Sequence, residues 1–524
     1  MNQDILKLAA ERMRQEFPLG FPCANRIEYL ACFANIEEWT DRVSKSLETQ
    51  SVGHIVKIDM PKPGWLSRPM QVITADDMLA YNYVILCLLP EVRKRIEWSQ
   101  RTIRLSHHLN NQGSKRWFPP WGNLHGWRNF QKVSIGKAYS GEHEYVVCTD
   151  ISSYYENISI PLLSNMLRAT DADKKHIQLL TKLLSEFAGI RDKGIPQGYS
   201  ASHVLGEFYL NTIDHFLETA GVVHLRYLDD YRLFCSSEIE ARLHLKLLNS
   251  KIREVGLNIH SGKTEILNVS KAMNKFKALR LRLNGASSAI GKRLVAFENA
   301  SFISAEEITK YFQDVDPADQ PEDVILEAWE DFLTKEFDKT LFHFLLSRLK
   351  ALDSPVALSF CLEILHSMPH ETTHCLNYFS HFRAKLPSLK PNLARDLELI
   401  ITSSETIYQF QQWQIFDWFL RNEIQSQALI EFSRSVLNGE EKADALMPVA
   451  IAYLGQFSEG DHDFSRLQDV LSRETREPVI ASISHALSHG PSSLFKGAIK
   501  RKFEHMPLVK WAYALTPKAY IDPI

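Results

Sequence analysis

The run His224-Leu-Arg-Tyr-Leu-Asp-Asp-Tyr-Arg-Leu-Phe-Cys235 decides how this chain is read. Most of its residues suit a strand, yet Asp229 and Asp230 sit side by side within it. An ionised carboxylate is unfavourable to desolvate unless an opposite charge or hydrogen bonds compensate. A divalent cation compensates well, because hard oxygen ligands suit magnesium. A third carboxylate, Asp150, ends a second apolar run, Tyr145-Val-Val-Cys-Thr-Asp150. Two strands that bring these carboxylates together would build a two-metal site for phosphoryl or nucleotidyl transfer. The plainer alternative treats an Asp-Asp pair as a turn or helix cap, which is the reading given to Asp76-Asp77 ahead of Met78.

At 524 residues the chain is too long for one ordinary core, so two or three domains are expected. Apolar content of 45% and charged content of 23% are ordinary for a globular protein. No segment approaches the roughly 18 uninterrupted apolar residues of a membrane span, so no membrane association is expected. The first residues lack a signal-peptide pattern. The 7 cysteines include no C-x-x-C pair, which argues against a zinc ribbon or a disulfide framework and favours a reducing cytoplasm. A net charge of -3 means that nucleic-acid binding must be local. Candidate basic patches are Arg93 to Arg95, Arg101 to Arg104, Lys115-Arg116, Lys275 to Arg282 and Lys500 to Lys502, each of which also reads as a solvated face.

Periodicity predicts helices over Asp4 to Phe17 and Ile36 to Gln50, a strand over Val52 to Met60, and a loop at Pro61 to Gly64. A helix from Ala75 should stop at Leu89, before Pro90. Residues 105 to 140 read as irregular, with Trp117, Trp121 and Trp127 forming a packed core under a loop or stacking on bases. From 144 to 270 strands and helices mix: a strand to Asp150, helices over Ser159 to Ala169, Lys174 to Ala188 and Ser200 to Glu218, then a hairpin with the aspartates at its turn. A helix over Glu238 to Val255 and a short strand near Glu265 to Val269 follow. Asn284 to Gly291 looks like a linker, and beyond about residue 300 every signal is helical, suggesting a HEAT-like array or an irregular bundle. The fold class expected is α+β, with residues 1–285 as one division and the all-α residues 286–524 as the other.

Four stretches in order resemble the palm of reverse transcriptases. Tyr145 to Tyr155 looks like the first palm motif, Ile195-Pro-Gln-Gly198 like the Pro-Gln-Gly motif, and Tyr227-Leu-Asp-Asp230 like Tyr-x-Asp-Asp. Gly256-Leu-Asn-Ile-His-Ser-Gly-Lys263-Thr264 looks like the motif that follows. The resemblance spans about residues 50 to 285 and implies right-hand fingers and palm. It implies that Asp150 and Asp229 hold two Mg2+ ions (Mn2+ as the alternative) with the backbone carbonyl of Ile151, and that Asp230 completes the cluster. Tyr155 then becomes an aromatic gate against the ribose 2'-hydroxyl, which selects dNTPs; Gln197 and Gly198 line the nucleotide pocket. Lys263 protonates or binds pyrophosphate, and Arg68, with Lys62, clamps the triphosphate.

No RNase H-like acidic set and no endonuclease tail follow the palm, and a helical region replaces or extends the thumb. That arrangement is similar to the bacterial abortive-infection and other defence-associated reverse transcriptases. The resemblance implies anti-phage DNA synthesis, either untemplated and primed by a protein tyrosine or templated by a noncoding RNA, with a DNA product as partner and homo-oligomers formed through the helical part. Among 17 tyrosines, Tyr513 and Tyr520 are primer candidates. The competing expectation is a catalytically silent scaffold or sensor that binds nucleic acid.

Overall fold

The computed structural model describes residues 2–17, 25–47, 52–97 except 54, 109–118 except 111, 122–189, 192–276, 321–439 except 391, 444–490 except 459, and 497–521 except 498 and 504. The Asn284 to Gly291 linker, Trp121 and the Arg101 to Arg104 patch lie outside them.

Two antiparallel sheets form. The first is a hairpin, β1 (Val56–Lys62) and β2 (Leu66–Val72). The second contains β3 (Tyr145–Asp150), β4 (His224–Tyr227), β5 (Asp230–Cys235) and β6 (Glu265–Asn268), in the order β4-β5-β3-β6. β3 and β5 are central, and their residues past the first are buried almost throughout. They therefore read as continuous apolar runs rather than alternating ones. Helices Gly122–Tyr139, Ser200–Thr219 and Glu238–Glu254 accompany this sheet. Among the described residues every element from residue 321 onward is helical, and no helix is long and apolar enough to cross a membrane.

Most predicted elements appear within a few residues of their expected ends. Ser159 caps Ile160–Arg168 by accepting from the Leu162 N–H, and Asp173 caps Lys174–Ala188 through the Lys175 N–H. Four points need correction. The helix from Ala75 runs through Pro90 to Glu97. A proline there leaves the carbonyl four residues earlier without its donor, and Gln112 Nε2 fills that role, donating to the Leu86 carbonyl at 3.0 Å. The region expected to be irregular contains the helix Gly122–Tyr139, whose three glycines and weak amphipathic contrast hid it. A helix at Arg26–Ala34 was not anticipated. Asp76 and Asp77 lie in the first turn rather than at the cap; Thr74 Oγ1 accepts from the Asp77 N–H and donates to Asp77 Oδ2.

Compactness follows a different partition from the chain-order division at residue 285. One unit contains Met1–Asp59, Pro69–Met273 and Ser433–Ile524; the other contains Met60–Arg68 and Asn274–Phe432. Within the first, the last helices return to the first ones. Asn25 Nδ2 donates to the Pro478 carbonyl at 2.9 Å while its Oδ1 accepts from Ser482 Oγ at 2.9 Å. Arg42 joins Asp76 at 2.7 Å to Glu477 at 3.1 Å, and Trp511 Nε1 donates to Glu38 at 3.0 Å. Within the second unit, Tyr408 Oη donates to the Leu66 carbonyl at 3.2 Å.

Glu28 lies beneath the first unit's start, accepting from the Ala75 N–H at 2.6 Å. Burial pushes its carboxyl up to about 8 from an ordinary 4.5. The folded chain then binds a proton more tightly than the unfolded chain, so this stabilising contribution is whole below about pH 4.5 and lost as pH rises to about 8. Glu28→Gln should therefore flatten the fall in unfolding free energy between about pH 5 and pH 8. Denaturant titrations at several pH values check this, and an unchanged slope would assign the pH dependence elsewhere.

Candidate active site

The palm-like sheet brings Asp150 and Asp230 opposite each other, because β3 and β5 pair antiparallel with those residues in register. Asp229 lies in the two-residue turn between β4 and β5. The Ile151 N–H donates to the Asp229 carbonyl at 3.2 Å, which ties the end of β3 to that turn. The His260 N–H donates to the Asp150 carbonyl at 2.8 Å, drawing the segment before β6 to the same place. Ligand oxygens of Asp150, Asp229 and Asp230 lie within 4.8 Å of one another.

Such a cluster is self-repelling. Burial first, then Asp229 and Asp150, push the Asp230 carboxyl up to about 7 from 3.8. Lys263 Nζ, donating to Asp150 Oδ2 at 2.7 Å, supplies one positive charge. Three carboxylates facing Lys263 and the buried Arg232 still leave room for further positive charge, and their oxygens are the donors that suit magnesium or manganese. The residues present thus fit divalent cations.

The turn that carries Asp229 is strained. Leu228 has φ of 54°, a conformation usually left to glycine, at a cost of about 1–3 kcal/mol. It is held from beneath by Arg226, which is 0% exposed. Arg226 Nη1 donates to the Leu228 carbonyl at 2.9 Å, its Nε donates to both Asp214 oxygens at 2.9 Å, and its Nη2 donates to Asp214 Oδ2 at 2.6 Å. Glu207 lies 3.1 Å from the same Nη2. Burial opposes the Asp214 charge, but Arg226 outweighs it and the carboxyl stays below its usual range. Arg232 lies over the Phe130 ring at 4.0 Å and donates to Gln131 Oε1 at 3.0 Å. Sequence reading missed Arg226, Asp214, Glu207 and Arg232. Glu207 and Asp214 stand seven residues apart on an otherwise buried helix, and charges at such positions call for partners.

Tyr155 is buried, its ring 5.0 Å from that of Tyr154, and its hydroxyl lies 2.5 Å from His203 Nδ1. Burial first, then the Asp229 charge, push its hydroxyl above the ordinary range. Gly206 makes room for both rings: a Cβ there would meet Tyr154 at 3.2 Å and Tyr155 at 3.3 Å. The Gly194 to Gly198 loop is laced to the same segment, with the Ile195 N–H donating to the Tyr155 carbonyl at 2.9 Å. Gln197 is half-buried, and Gly198 is exposed with φ of 90°, open on its Cβ side but for Met70 at 3.5 Å.

Lys62 and Arg68 are half-buried on β1 and β2, and both belong to the second compact unit. Trp117 is packed inside, its Nε1 donating to Asn82 Oδ1 at 3.0 Å, as the packed-core reading expects. Trp127 lies against the Tyr227 ring at 5.2 Å and keeps an exposed edge. Of the basic patches, Arg93 to Arg95 is partly neutralised by Glu97 and Asp171. Tyr520 is buried beside Arg26, whereas Tyr513 is half-buried against Phe503.

Arg226→Met would leave Asp214 and Glu207 buried without their countercharge. The expected loss is about 3–5 kcal/mol of unfolding free energy, read by urea titration. A loss below about 1 kcal/mol would show that the network is not what supports the hairpin.

Residues 60–300 match the family model described as reverse transcriptase (RNA-dependent DNA polymerase), a little under half of the chain. Its fold is α+β, reverse-transcriptase-like over the matched residues, and every described element from residue 321 onward is helical. Among solved structures it is similar to telomerase from Candida albicans in complex with a TWJ fragment of telomeric RNA. The two share 12% identity over 92% of this chain and 70% of that one. The TM-score of 0.30 is too low to bear on this chain's fold or partners. No curated protein matches the chain.

Proposed function

We propose that this chain is a DNA polymerase of the reverse transcriptase kind, transferring nucleotidyl groups from dNTPs, and that it serves bacterial anti-phage defence in the cytoplasm. The observation that carries the polymerase reading is the convergence of Asp150, Asp229 and Asp230 within a domain that matches the family model. The defence role is supported by the resemblance of the motif set, joined to a long helical region. In this reading residues 1–285 supply fingers and palm, and residues 286–524 replace or extend the thumb and form oligomers.

Asp150 and Asp229, with the Ile151 carbonyl, would hold two divalent cations and Asp230 would complete their charge balance. When bound, such ions lower the pKa of the attacking hydroxyl and neutralise the leaving pyrophosphate. The chain's own residues do the rest. The Leu228 turn fixes Asp229 against the end of β3. Lys263, mostly exposed and bonded to Asp150, has the reach and the charge to bind or protonate pyrophosphate. Gln197 would hydrogen-bond the incoming nucleotide, and the bare Gly198 backbone would let it approach. Tyr155, clamped by His203 and packed near Gly206, presents a rigid ring where a 2'-hydroxyl would clash. Arg68 and Lys62 would hold the triphosphate.

Purified protein incubated with magnesium and labelled dNTPs tests this reading. Label that shifts on proteinase digestion and survives RNase pretreatment would mean protein-primed, untemplated synthesis; label lost on RNase pretreatment would mean an RNA template. Asp229→Ala combined with Asp230→Ala should cut incorporation by roughly a thousandfold or more while the fold persists by circular dichroism. Undiminished incorporation would sink the mechanism, and a wild type that never incorporates would leave the silent scaffold.

Tyr155→Ala should let ribonucleotides compete, lowering dNTP preference by roughly a hundredfold. Primer extension with mixed pools measures it, and unchanged preference would remove the gate assignment.

A further inference from the structure

A second cluster of ligand-bearing side chains lies in the helical part, outside the palm. His343 is on the helix Lys339–Ala351, Glu371 ends the turn Pro369–Glu371, and His374 is in the first turn of Thr372–His381. One ligand atom from each lies within 4.8 Å of the others. His343 Nε2 is 2.5 Å and His374 Nδ1 is 3.5 Å from the same oxygen, Glu371 Oε2. The two imidazole rings stack face to face at 3.6 Å.

Glu371 is 0% exposed, and its other oxygen, Oε1, makes no hydrogen bond. Its nearest neighbours of potential positive charge are His370 at 3.5 Å and Lys339 at 3.7 Å. A sealed carboxylate ringed by three imidazoles has far more nitrogen donors than its neutralisation needs. The turn that presents it is braced from outside: Thr372 Oγ1 donates to the Pro369 carbonyl at 2.7 Å, and Gln411 Nε2 donates to Thr372 Oγ1 at 3.1 Å.

We infer that His343, Glu371 and His374 form a binding site for a divalent transition metal of the zinc type. Two imidazole nitrogens and one carboxylate oxygen form a set that favours zinc over magnesium or calcium. Zinc–ligand bonds of about 2.0–2.2 Å place tetrahedral ligand atoms roughly 3.3 Å apart. The 3.5 Å from His374 to Glu371 already matches; His343 must withdraw by under an ångström, and the stacked rings must tilt so that each lone pair meets the ion. His370 or water takes the fourth position, and Lys339, half-exposed on its stem, moves aside.

The sequence His370-Glu-Thr-Thr-His374 has the spacing of hydrolytic zinc helices, in which both histidines bind the ion and the glutamate activates water. Here the fold uses it differently. His370 sits in the preceding turn and faces the other carboxylate oxygen, while Glu371 points at His343 and His374. Glu371 is therefore a ligand and not a base, and the site joins two helices instead of cleaving a substrate.

The test uses the full chain stripped with chelator and titrated with Co2+ in excess Mg2+, which keeps the palm carboxylates occupied by a hard ion. One equivalent of Co2+ should give visible d–d absorption that Zn2+ abolishes, and Zn2+ should raise the melting temperature by at least about 2 °C. His343→Ala with His374→Ala should remove the absorption, whereas His370→Ala should keep it with weaker binding, on the order of 10–100-fold. If the double variant fails to fold, the single His343→Gln variant and the wild-type zinc shift decide. A wild type without absorption or shift overturns the site, and so does a pair in which His370→Ala loses the ion while His343→Gln retains it.

Discussion

The ion pair between Arg226 and Asp214 is the constraint on which the palm depends. Both are 0% exposed, so neither charge has water to fall back on, and each persists because the other is there. Arg226 also grips the Leu228 carbonyl, the one point where the hairpin backbone leaves ordinary conformations. A buried charge pair thus does what glycine does in most such turns: it stabilises a left-handed residue. The helix Ser200–Thr219 supplies Asp214 to this turn, and it supplies Gly206 and His203 to Tyr155. The Asp229 turn and the Tyr155 ring are consequently positioned by one rigid element rather than by independent loops.

Much of this was legible because the informative residues violate their surroundings. Adjacent aspartates in an apolar run announce themselves, and Asp150 at the end of another run supplies the partner strand. Helices with clear caps, such as Lys174–Ala188 after Asp173, could be placed from spacing alone. What stayed hidden depends on partners far along the chain. Pro90 signalled a helix end, yet Gln112 satisfies the carbonyl that the proline abandons. Arg226 and Asp214 look ordinary until the fold seals them together. His343 stands 28 residues before Glu371, and no local pattern joins them. The return of residues 433–524 to the first unit had no signature, because Asn25, Arg42 and Glu38 look like surface residues until Pro478, Glu477 and Trp511 arrive.

The two ligand clusters obey opposite chemistries. In the palm, three oxygen donors crowd together, and burial, then the charges of Asp229 and Asp150, drive one of them, Asp230, towards protonation. Around Glu371, nitrogen donors outnumber a single sealed carboxylate, and burial followed by His343 pushes His374 down to about 4, leaving it neutral. Hard, hydrated ions suit the first arrangement and borderline ions the second, so the chain can hold both kinds without confusing them.

The first unit is closed by segments far apart in the sequence. Arg26–Ala34 is made early during synthesis, but the helices that pack on it, Glu477–Ser488 and Pro507–Tyr513, are made late. Contacts separated by more than 400 residues, such as Asn25 with Ser482, cannot form before the later residue has been made. The earlier helices must therefore wait, with apolar faces open, for residues 433 onward. A message cut short before residue 433 leaves the first unit without its covering helices. The topology thereby ties the closing of this unit to how far translation has run.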